Sequence, residues 1–491
     1  MRSRIAVLSF CCSLLLAQSD NPAKRWWAHT QALAGDDMEG RDTGSEGYRK
    51  AARYVVAQFE RAGLKPAGES GYYQNVPLHV VRFRADQSEV ALVRKGSVEP
   101  LKWLRQITIP ARLGLPESIE AGLVFAGDDV SALDVKGKVL VRLRAPGQHP
   151  QPAGIAGILS IDSTAGPEPP RWPAAYSVAM SLAETPARGN ANAPLTLRFN
   201  PADAELLFAG SGHTYKELLE LATAGKPLPS FELPAALRMK LRFESGDLSS
   251  DNILAVLPGS DPALSNEYVV LSAHLDGYGI GEPWNGDRIY NGAFDDAAYV
   301  AALMDFAEKL HESGARMRRS LLFAVFTGEE KGLLGSRYFA AHPTVPKERL
   351  AADVNLDQLR PHFPLKILTT IALNESTLAD TARRVAEPMG IRLVPDMEPE
   401  RNLIRRADNY PLMQIGVPAI CFVFGFEKGS PEEAIYRRWY IERYHTPADD
   451  LKQPVDFAAA AKFNDFFARL ATAIANADER PHWNAGSSFA K

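Results

Sequence analysis

Two adjacent glutamates, Glu329 and Glu330, follow the apolar run SLLFAVF in the sequence FTGEEKGLLGS. The run predicts a buried strand because it is short, continuous and rich in aromatic and branched residues. Adjacent carboxylates at the end of such a strand repel each other and resist burial unless a cation compensates their charge. The pair therefore indicates a bound cation.

Four further groups of metal-ligand residue types occur in the same half of the chain. They are His274 with Asp276 in SAHLDGYG, Asp295 with Asp296 in NGAFDDAA, Asp357 in ADVNLDQ and His445 in YHTPADDL. Each group alone has an ordinary explanation, such as helix capping for the Asp pair or a solvated surface for the Glu pair. Four of the five groups lie at or just after the end of a predicted strand, so we expect them to converge on one cleft.

Imidazoles and carboxylates together form a ligand set that suits zinc, with manganese and cobalt as competing metals. One glutamate of the pair can bind metal while the other acts as a base. Asp276 follows His274 by two residues, and a carboxylate at that reach is expected to fix the imidazole tautomer.

The elements that position these residues alternate between strand and helix from residue 251 onward. The strand candidates are NILAVLPG, EYVVLSAHLD, SLLFAVFTGEE, LAADVNLD and PAICFVFG. This alternation predicts an α/β fold with a mostly parallel central sheet sandwiched by helices. Ligands of such sheets bind at the carboxyl ends of the strands.

The 491 residues are too many for one ordinary domain, so two domains, or one with a large insertion, are expected. An amphipathic helix is predicted around Tyr48, with Thr43 or Ser45 as its cap and Gly63 at its end. A block of short β-like runs and proline-rich turns follows this helix. The predicted segments are a signal peptide (1–18), an N-terminal part of the main domain (19–80), an inserted mainly β domain (81–249) and the main domain (250–480).

The N-terminus has the layout of a cleaved secretory signal, with Arg2 and Arg4 before an apolar run that is too short to span a bilayer. A buried strand or helix is the alternative interpretation. Removal of the signal would take Cys11 and Cys12 with it and leave Cys421 as a small buried residue with no internal disulfide. We therefore expect an exported protein without a membrane span.

A formal net charge of −4 shows no basic excess of the kind that a nucleic-acid-binding protein needs. Nucleic acid is therefore not an expected partner, and charge does not identify another.

The motifs AHLDGYGIG…GDRIYNGAFDDAA, FTGEEKGLLGS, NLD and YHTPADD resemble the metal-site motifs of a di-zinc exopeptidase family. That family contains bacterial secreted aminopeptidases and glutamate carboxypeptidases. The resemblance covers most of residues 251–450, and the N-terminal helical segment also resembles the family. The inserted block more weakly resembles a protease-associated domain.

This resemblance implies two Zn²⁺ ions per chain. Asp295 would bridge them, His274 and Asp357 would complete one site, and Glu330 and His445 would complete the other.

The resemblance also implies roles beside the metals. Glu329 would be the general base, Tyr444 would steady the oxyanion, and Asp408 would line the site. Two positions depart from the family pattern, since Tyr299 stands where a glycine is usual and Asn409 where a histidine is usual. These departures bear on packing and on substrate contacts, and neither removes a ligand.

The function that the resemblance implies is zinc-dependent hydrolysis of N-terminal residues from peptides, so a peptide is the expected partner. Carboxypeptidase or dipeptidase activity of the same family is the first alternative. A related one-zinc glutamine cyclase and a non-catalytic binding protein of the same fold are also considered, and the full five-ligand set disfavours both. A final alternative makes the inserted domain a partner-binding module on a peptidase scaffold.

Overall fold

A computed structural model describes residues 23–109, 115–143, 152–161, 172–175, 178–185 and 194–490. The predicted signal peptide, with Cys11 and Cys12, lies outside these residues. Within the described part, the chain forms ten α-helices and twenty strands in three sheets.

The strands occur throughout the described chain. In chain order they are β1 (Lys65–Pro66), β2 (Tyr73–Phe83), β3 (Glu89–Arg94), β4 (Ser97–Pro100), β5 (Ile107–Thr108), β6 (Ser118–Phe125), β7 (Val139–Leu143), β8 (Gly157–Ile161), β9 (Val178–Leu182), β10 (Leu195–Phe199), β11 (Phe231–Lys240), β12 (Phe243–Leu257), β13 (Tyr268–His274), β14 (Gly279–Trp284), β15 (Asp287–Tyr290), β16 (Ser320–Phe326), β17 (Leu350–Leu356), β18 (Ile367–Ile371), β19 (Arg392–Pro395) and β20 (Ala419–Phe424).

The helices lie mainly before β1 and after β15. In chain order they are α1 (Lys24–Leu33), α2 (Glu46–Arg61), α3 (Glu205–Phe208), α4 (Tyr215–Thr223), α5 (Ala298–Ser313), α6 (Leu334–Ala341), α7 (Leu378–Ala386), α8 (Asn409–Gln414), α9 (Pro431–Glu442) and α10 (Phe457–Asn476). No described helix combines the length and the apolar character that crossing a bilayer requires.

The largest sheet has ten strands in the order β19-β18-β20-β17-β13-β16-β12-β2-β9, with β1 paired to β12. The neighbours β20, β17, β13 and β16 run parallel to one another. Strands β12, β2 and β9 continue the sheet in antiparallel pairs. The sheet is therefore mixed, with the predicted parallel strands at its centre.

The central strands are buried on both faces, as their continuous apolar sequence predicts. Alternate residues of β16 pack into two different layers. Phe323 contacts Phe59 of α2 and Phe306 of α5 on one face, with ring centroids 5.6 Å and 6.2 Å away. Phe326 contacts Phe339 of α6 on the other face, with a centroid distance of 5.8 Å. Helices thus cover both faces of the sheet.

The predicted N-terminal helix is confirmed as α2. The Ser45 side chain caps it by accepting a hydrogen bond from the Tyr48 backbone N–H at 3.1 Å. Gly63, whose φ is 72°, follows its end. Thr43, the other predicted cap, makes a different contact, described below.

A second sheet of eight strands has the order β4-β3-β11-β6-β7-β8-β10-β5 and surrounds a hydrophobic core of its own. Phe83 and Phe243, at adjoining ends of the β2 and β12 pair, pack against that core. Strand β9 comes from the same part of the chain but pairs with β2 in the large sheet. The block at residues 81–249 therefore adds a strand to the large sheet, and its domain boundaries stay a prediction.

Candidate metal centre

The carboxyl ends of three parallel strands meet at one edge of the large sheet. His274 is the last residue of β13, and Asp357 directly follows β17. Glu329 and Glu330 follow β16 after two residues. Because these strands are direct neighbours, four of the predicted site residues emerge side by side.

Asp295 and His445 reach this edge from other elements. Asp295 lies in a single turn of π-helix, Ala293–Ala297, that leads into α5, and its peptide bond to Asp296 is cis. His445 lies in the loop after α9, with a φ of 57°. The predicted residues therefore converge from five separate segments.

Asp295 lies between the two histidines and presents a different oxygen to each. Its Oδ1 is 3.3 Å from Nε2 of His274, and its Oδ2 is 3.2 Å from Nε2 of His445. The same Nε2 of His445 is 3.3 Å from Oε2 of Glu330. Ligand atoms about 2.0–2.1 Å from a tetrahedral zinc ion lie about 3.3 Å from one another. These spacings suit two cations, one on each side of Asp295.

The ligand atoms form two groups that share Asp295. Within each group the atoms lie within 4.8 Å of one another, and the groups are His274, Asp295, Asp357 and Asp295, Glu330, His445.

Several of these atoms are buried without a hydrogen-bond partner among the described residues, namely His274 Nε2, Asp295 Oδ2, Glu330 Oε1 and Asp357 Oδ1. Buried polar atoms normally have partners. Unpartnered atoms in both groups point to bound ligands, and this donor set fits divalent metals such as zinc.

The site holds negative charge away from water. The side chains of Glu329 and Glu330 are only 11% and 5% exposed. Burial raises the pKa of both glutamates, and it raises the pKa of Asp357 to about 6. Burial acts on Asp295 in the same direction, but the two histidines outweigh it and hold the pKa of Asp295 below its usual range. Added cations would stabilise the ionised cluster.

Asp276 is fully buried and contacts the loop that carries the two glutamates. Its Oδ1 accepts a hydrogen bond from the Glu329 backbone N–H at 3.0 Å, and its Oδ2 accepts one from the Glu330 N–H at 3.4 Å. The Nδ1 of His274 is 3.1 Å from the Asp276 backbone carbonyl and 3.8 Å from its carboxylate. The histidine tautomer is thus fixed by the backbone carbonyl of Asp276, and the carboxylate positions the glutamate loop.

Two other buried aspartates position the turn that carries Asp295. The carboxylate of Asp449 accepts hydrogen bonds from the backbone N–H groups of Phe294 and Asp295, each at 3.1 Å. Asp296 accepts one from the Gln358 N–H at 3.2 Å, next to the ligand candidate Asp357. Asp296 is therefore a structural support, whereas Asp295 is the ligand candidate.

The N-terminal segment completes the support of the site. The fully buried Arg41 guanidinium donates hydrogen bonds to four backbone carbonyls, those of Leu33, Leu275, Asn291 and Gly292, at 2.6–2.9 Å. Leu275 directly follows the ligand candidate His274, and Gly292 directly precedes the turn that carries Asp295. The Thr43 hydroxyl donates to Asp276 at 3.0 Å. The Arg41 contacts thus connect the segments that carry His274 and Asp295 to one buried guanidinium.

A cleft of about 300 Å³ opens over the cluster, and Glu329 and Tyr444 both line it. The Tyr444 ring packs on His445, with centroids 3.6 Å apart. Tyr278 also lines the cleft, and its hydroxyl is 3.0 Å from Nδ1 of His445. Of the predicted catalytic residues Glu329, Asp276 and Tyr444, Glu329 and Tyr444 therefore face the space where a substrate would bind, whereas Asp276 does not line the cleft.

The remaining residues that the sequence singled out, Tyr299, Asp408 and Asn409, are buried. The Tyr299 side chain is fully buried and its hydroxyl donates to the Phe422 carbonyl at 2.9 Å. Asn409 is also buried, and Asp408 accepts a hydrogen bond from the Ser336 hydroxyl at 2.5 Å. None of the three is among the residues that line the cleft, and the role of Asp408 stays a prediction. Neither family departure obstructs the cleft.

Sequence reasoning assigned no role to Arg41, Tyr278 or Asp449. Asp449 and Tyr278 stand within the quoted motifs YHTPADD and AHLDGYG, so proximity to a ligand was the available signal. Arg41 lies more than 200 residues before the ligands that it supports, and an arginine in a polar N-terminal stretch carries no such signal.

Residues 252–471 match the sequence model of Peptidase family M28. Leupeptin-inactivating enzyme 1 of Streptomyces exfoliatus is 24% identical over 224 residues, which cover 44% of this chain and 47% of that protein. The chain spans less than half the length of the curated relatives that it matches.

Solved structures of similar fold cover most of the chain. An aminopeptidase from Aneurinibacillus sp. strain AM-1 superposes with a TM-score of 0.60, at 17% identity over 93% of this chain and 95% of that one. A zinc aminopeptidase from Bacillus subtilis superposes with a TM-score of 0.58, at 16% identity over 93% and 96% of the two chains. These likenesses confirm the predicted fold.

Replacing Arg41 with methionine should destabilise the metal centre from outside it. The variant keeps a long side chain but leaves four buried carbonyls without their donor, at a cost of about 1–3 kcal/mol for each unsatisfied group. We expect the free energy of unfolding to fall by at least about 3 kcal/mol and zinc affinity to fall with it. Urea denaturation and zinc competition with a chelator measure the two effects.

The matched control is Arg53→Met on α2, where the guanidinium is exposed and pairs with Glu46. It should change both quantities little, because exposed ion pairs contribute little to stability. Equal effects of the two substitutions would contradict the role given to Arg41.

Proposed function

Because residues 252–471 belong to Peptidase family M28, we propose that this protein is a zinc-dependent exopeptidase that removes N-terminal residues from peptides with a two-metal centre. The family match agrees with the predicted family and the predicted class, a metallopeptidase hydrolase. The number of ions, the end of the peptide that is attacked and the role of each residue belong to the proposal.

The position of Asp295 carries the proposal. A carboxylate that offers one oxygen to each of two histidine-containing groups, at 3.3 Å and 3.2 Å, is arranged to bridge two ions. His274 and Asp357 would complete one site, and Glu330 and His445 the other. When bound, a pair of zinc ions supplies Lewis acidity that polarises the scissile carbonyl and acidifies the attacking water.

Glu329 is suited to the role of general base. It lines the cleft, and its Oε2 lies 4.0 Å from Nε2 of His274, which places the carboxylate beside the ligand cluster. The hydrogen bond from its backbone N–H to Asp276 fixes the loop. Glu329 would accept the proton of the attacking water and donate it to the leaving amine.

Tyr444 would support the developing negative charge on the carbonyl oxygen. Its ring is held among Trp439, Tyr440 and His445, with centroids 5.6 Å, 5.1 Å and 3.6 Å away. A hydroxyl on a fixed ring at the cleft wall can donate to that oxygen without a large rearrangement.

The names of the structural neighbours favour attack at the N-terminus, since two of them are described as aminopeptidases. Carboxypeptidase and dipeptidase activities remain the alternatives, and a peptide is the proposed partner in each case. Export from the cell rests on the sequence pattern of residues 1–18 alone.

Glu329→Gln should separate metal binding from catalysis. The amide cannot accept the proton, so we expect kcat to fall by about two to four powers of ten, the usual contribution of general acid–base catalysis. Zinc content by mass spectrometry should stay that of the wild type. Glu442→Gln is the control, because that glutamate is exposed at the end of α9, three residues before His445. A wild-type rate in Glu329→Gln would exclude Glu329 as the base.

A defined peptide pool distinguishes the possible exopeptidase activities. We expect the zinc-loaded protein to shorten peptides from the N-terminus, and a chelator to abolish the ladder in mass spectra. Ladders that shorten from the C-terminus would instead indicate a carboxypeptidase. A pool left intact by zinc-loaded protein would contradict the proposed activity on peptides.

A further inference from the structure

The cleft over the metal centre is lined by residues of different chemistry. Beyond the candidate ligands, one group of lining residues is apolar and the other is basic. The apolar group is Leu333, Ile371, Leu403, Ala407 and Val423, and the basic group is Arg337, Arg405 and Arg406.

The three arginines come from segments far apart in the chain. Arg337 lies on α6, which follows the glutamate loop, whereas Arg405 and Arg406 lie just before α8. The fold brings them to one cleft, so their proximity is not a local run of basic residues.

Arg337 and Arg405 are exposed, and within the described residues neither forms an ion pair with an Asp or Glu side chain. Arg405 lies over the Tyr410 ring at 5.5 Å, which orients the guanidinium but leaves its charge unbalanced. Arg406 lines the same cleft as the ligand candidates Asp357 and Glu330. The basic group and the ligand candidates therefore line one cleft.

Two arginines of another surface groove form ion pairs. In a groove formed by α7 and β19, Arg383 pairs with Asp380 at 3.1 Å and Arg392 pairs with Glu427. Arg383 therefore provides a paired reference for Arg337 and Arg405.

The net charge of the cleft depends on whether metal ions are bound. Two divalent cations would offset the charges of the four carboxylates that line it, those of Asp295, Glu329, Glu330 and Asp357. The guanidiniums of Arg337 and Arg405 would then leave the loaded cleft positive, and a positive cleft concentrates anionic ligands. Arginine suits carboxylate recognition because its planar fork can donate two parallel hydrogen bonds.

We propose that Arg337, Arg405 and Arg406 bind a carboxylate of the peptide substrate, while the apolar group of lining residues binds an aliphatic or aromatic side chain. The inference rests on the proposed peptidase function and specifies its substrate class. The carboxylate can be the C-terminus of a very short peptide or the side chain of an acidic residue. Both sources share the same chemistry, and substrates can separate them.

The test compares peptides that differ only in the carboxylate. Leu-Ala against Leu-Ala-amide probes the terminal carboxylate, and Leu-Glu-amide against Leu-Gln-amide probes the side chain. We expect KM to be lower by about tenfold or more for the acid in at least one pair, since a hydrogen bond to a charged group contributes about 1.5–3 kcal/mol. The pair that shows the difference identifies the source.

The ratio of the KM of the amide to the KM of the acid measures the acid preference. Arg337→Gln, Arg405→Gln and their combination with Arg406→Gln should reduce this ratio towards one. Arg405→Lys should give an intermediate ratio, because it keeps the charge and loses the fork. Arg383→Gln, in the groove of paired arginines, is the control and should leave the ratio unchanged. Equal KM values for acid and amide in both pairs, or an acid preference that survives the triple substitution, would overturn the proposal.

Equilibrium binding separates this proposal from the peptidase function. Calorimetric titration of Leu-Ala and Leu-Ala-amide, and of Leu-Glu-amide and Leu-Gln-amide, into zinc-loaded Glu329→Gln protein measures recognition without turnover. Tighter binding of an acid that the triple arginine substitution abolishes supports carboxylate recognition even if the wild type cleaves no peptide. Turnover of peptides without any acid preference in binding contradicts carboxylate recognition and leaves the peptidase function intact.

Discussion

Buried negative charge beside Asp295 is the constraint on which the rest of this structure depends. Four carboxylates and two imidazoles meet at the carboxyl edge of the parallel strands, where water is largely excluded. Such a group is unfavourable on its own, because desolvation opposes ionisation and like charges repel. Divalent cations would reverse both effects. Metal binding and stability of the folded chain should therefore be closely coupled.

The surrounding structure serves to hold these ligands in one geometry. Asp276 and Asp449 accept hydrogen bonds from the backbone of the loops that carry Glu329, Glu330 and Asp295. Arg41 binds carbonyls of two further loop segments. Each contact goes to the backbone, so it fixes a loop without using the side chain that would bind metal. This arrangement keeps the ligand oxygens and nitrogens available.

The sequence predicted the parts of the structure that obey a short-range pattern. Continuous apolar runs identified β13, β16, β17 and β20, and the ligand residues at the ends of β13, β16 and β17 followed directly from the topology of parallel sheets. The support by Arg41 and Thr43 could not be predicted, since it joins residues more than 200 positions apart. The Arg41 contacts also depend on backbone carbonyls, which every sequence contains. The same holds for β9, whose pairing with β2 depends on how the block at residues 81–249 folds back onto the large sheet. The convergence of Arg337 with Arg405 and Arg406 likewise emerges only from the fold.

The most direct test of the two-metal centre is anomalous X-ray diffraction at the zinc absorption edge from crystals of the zinc-loaded protein. We expect two peaks per chain on opposite sides of Asp295, one beside His274 and Asp357 and the other beside Glu330 and His445. Crystals of Asp295→Ala should lose both peaks, because the shared ligand is gone. A single peak in the wild type, or two peaks that persist without Asp295, would contradict the bridging role on which the proposed chemistry depends.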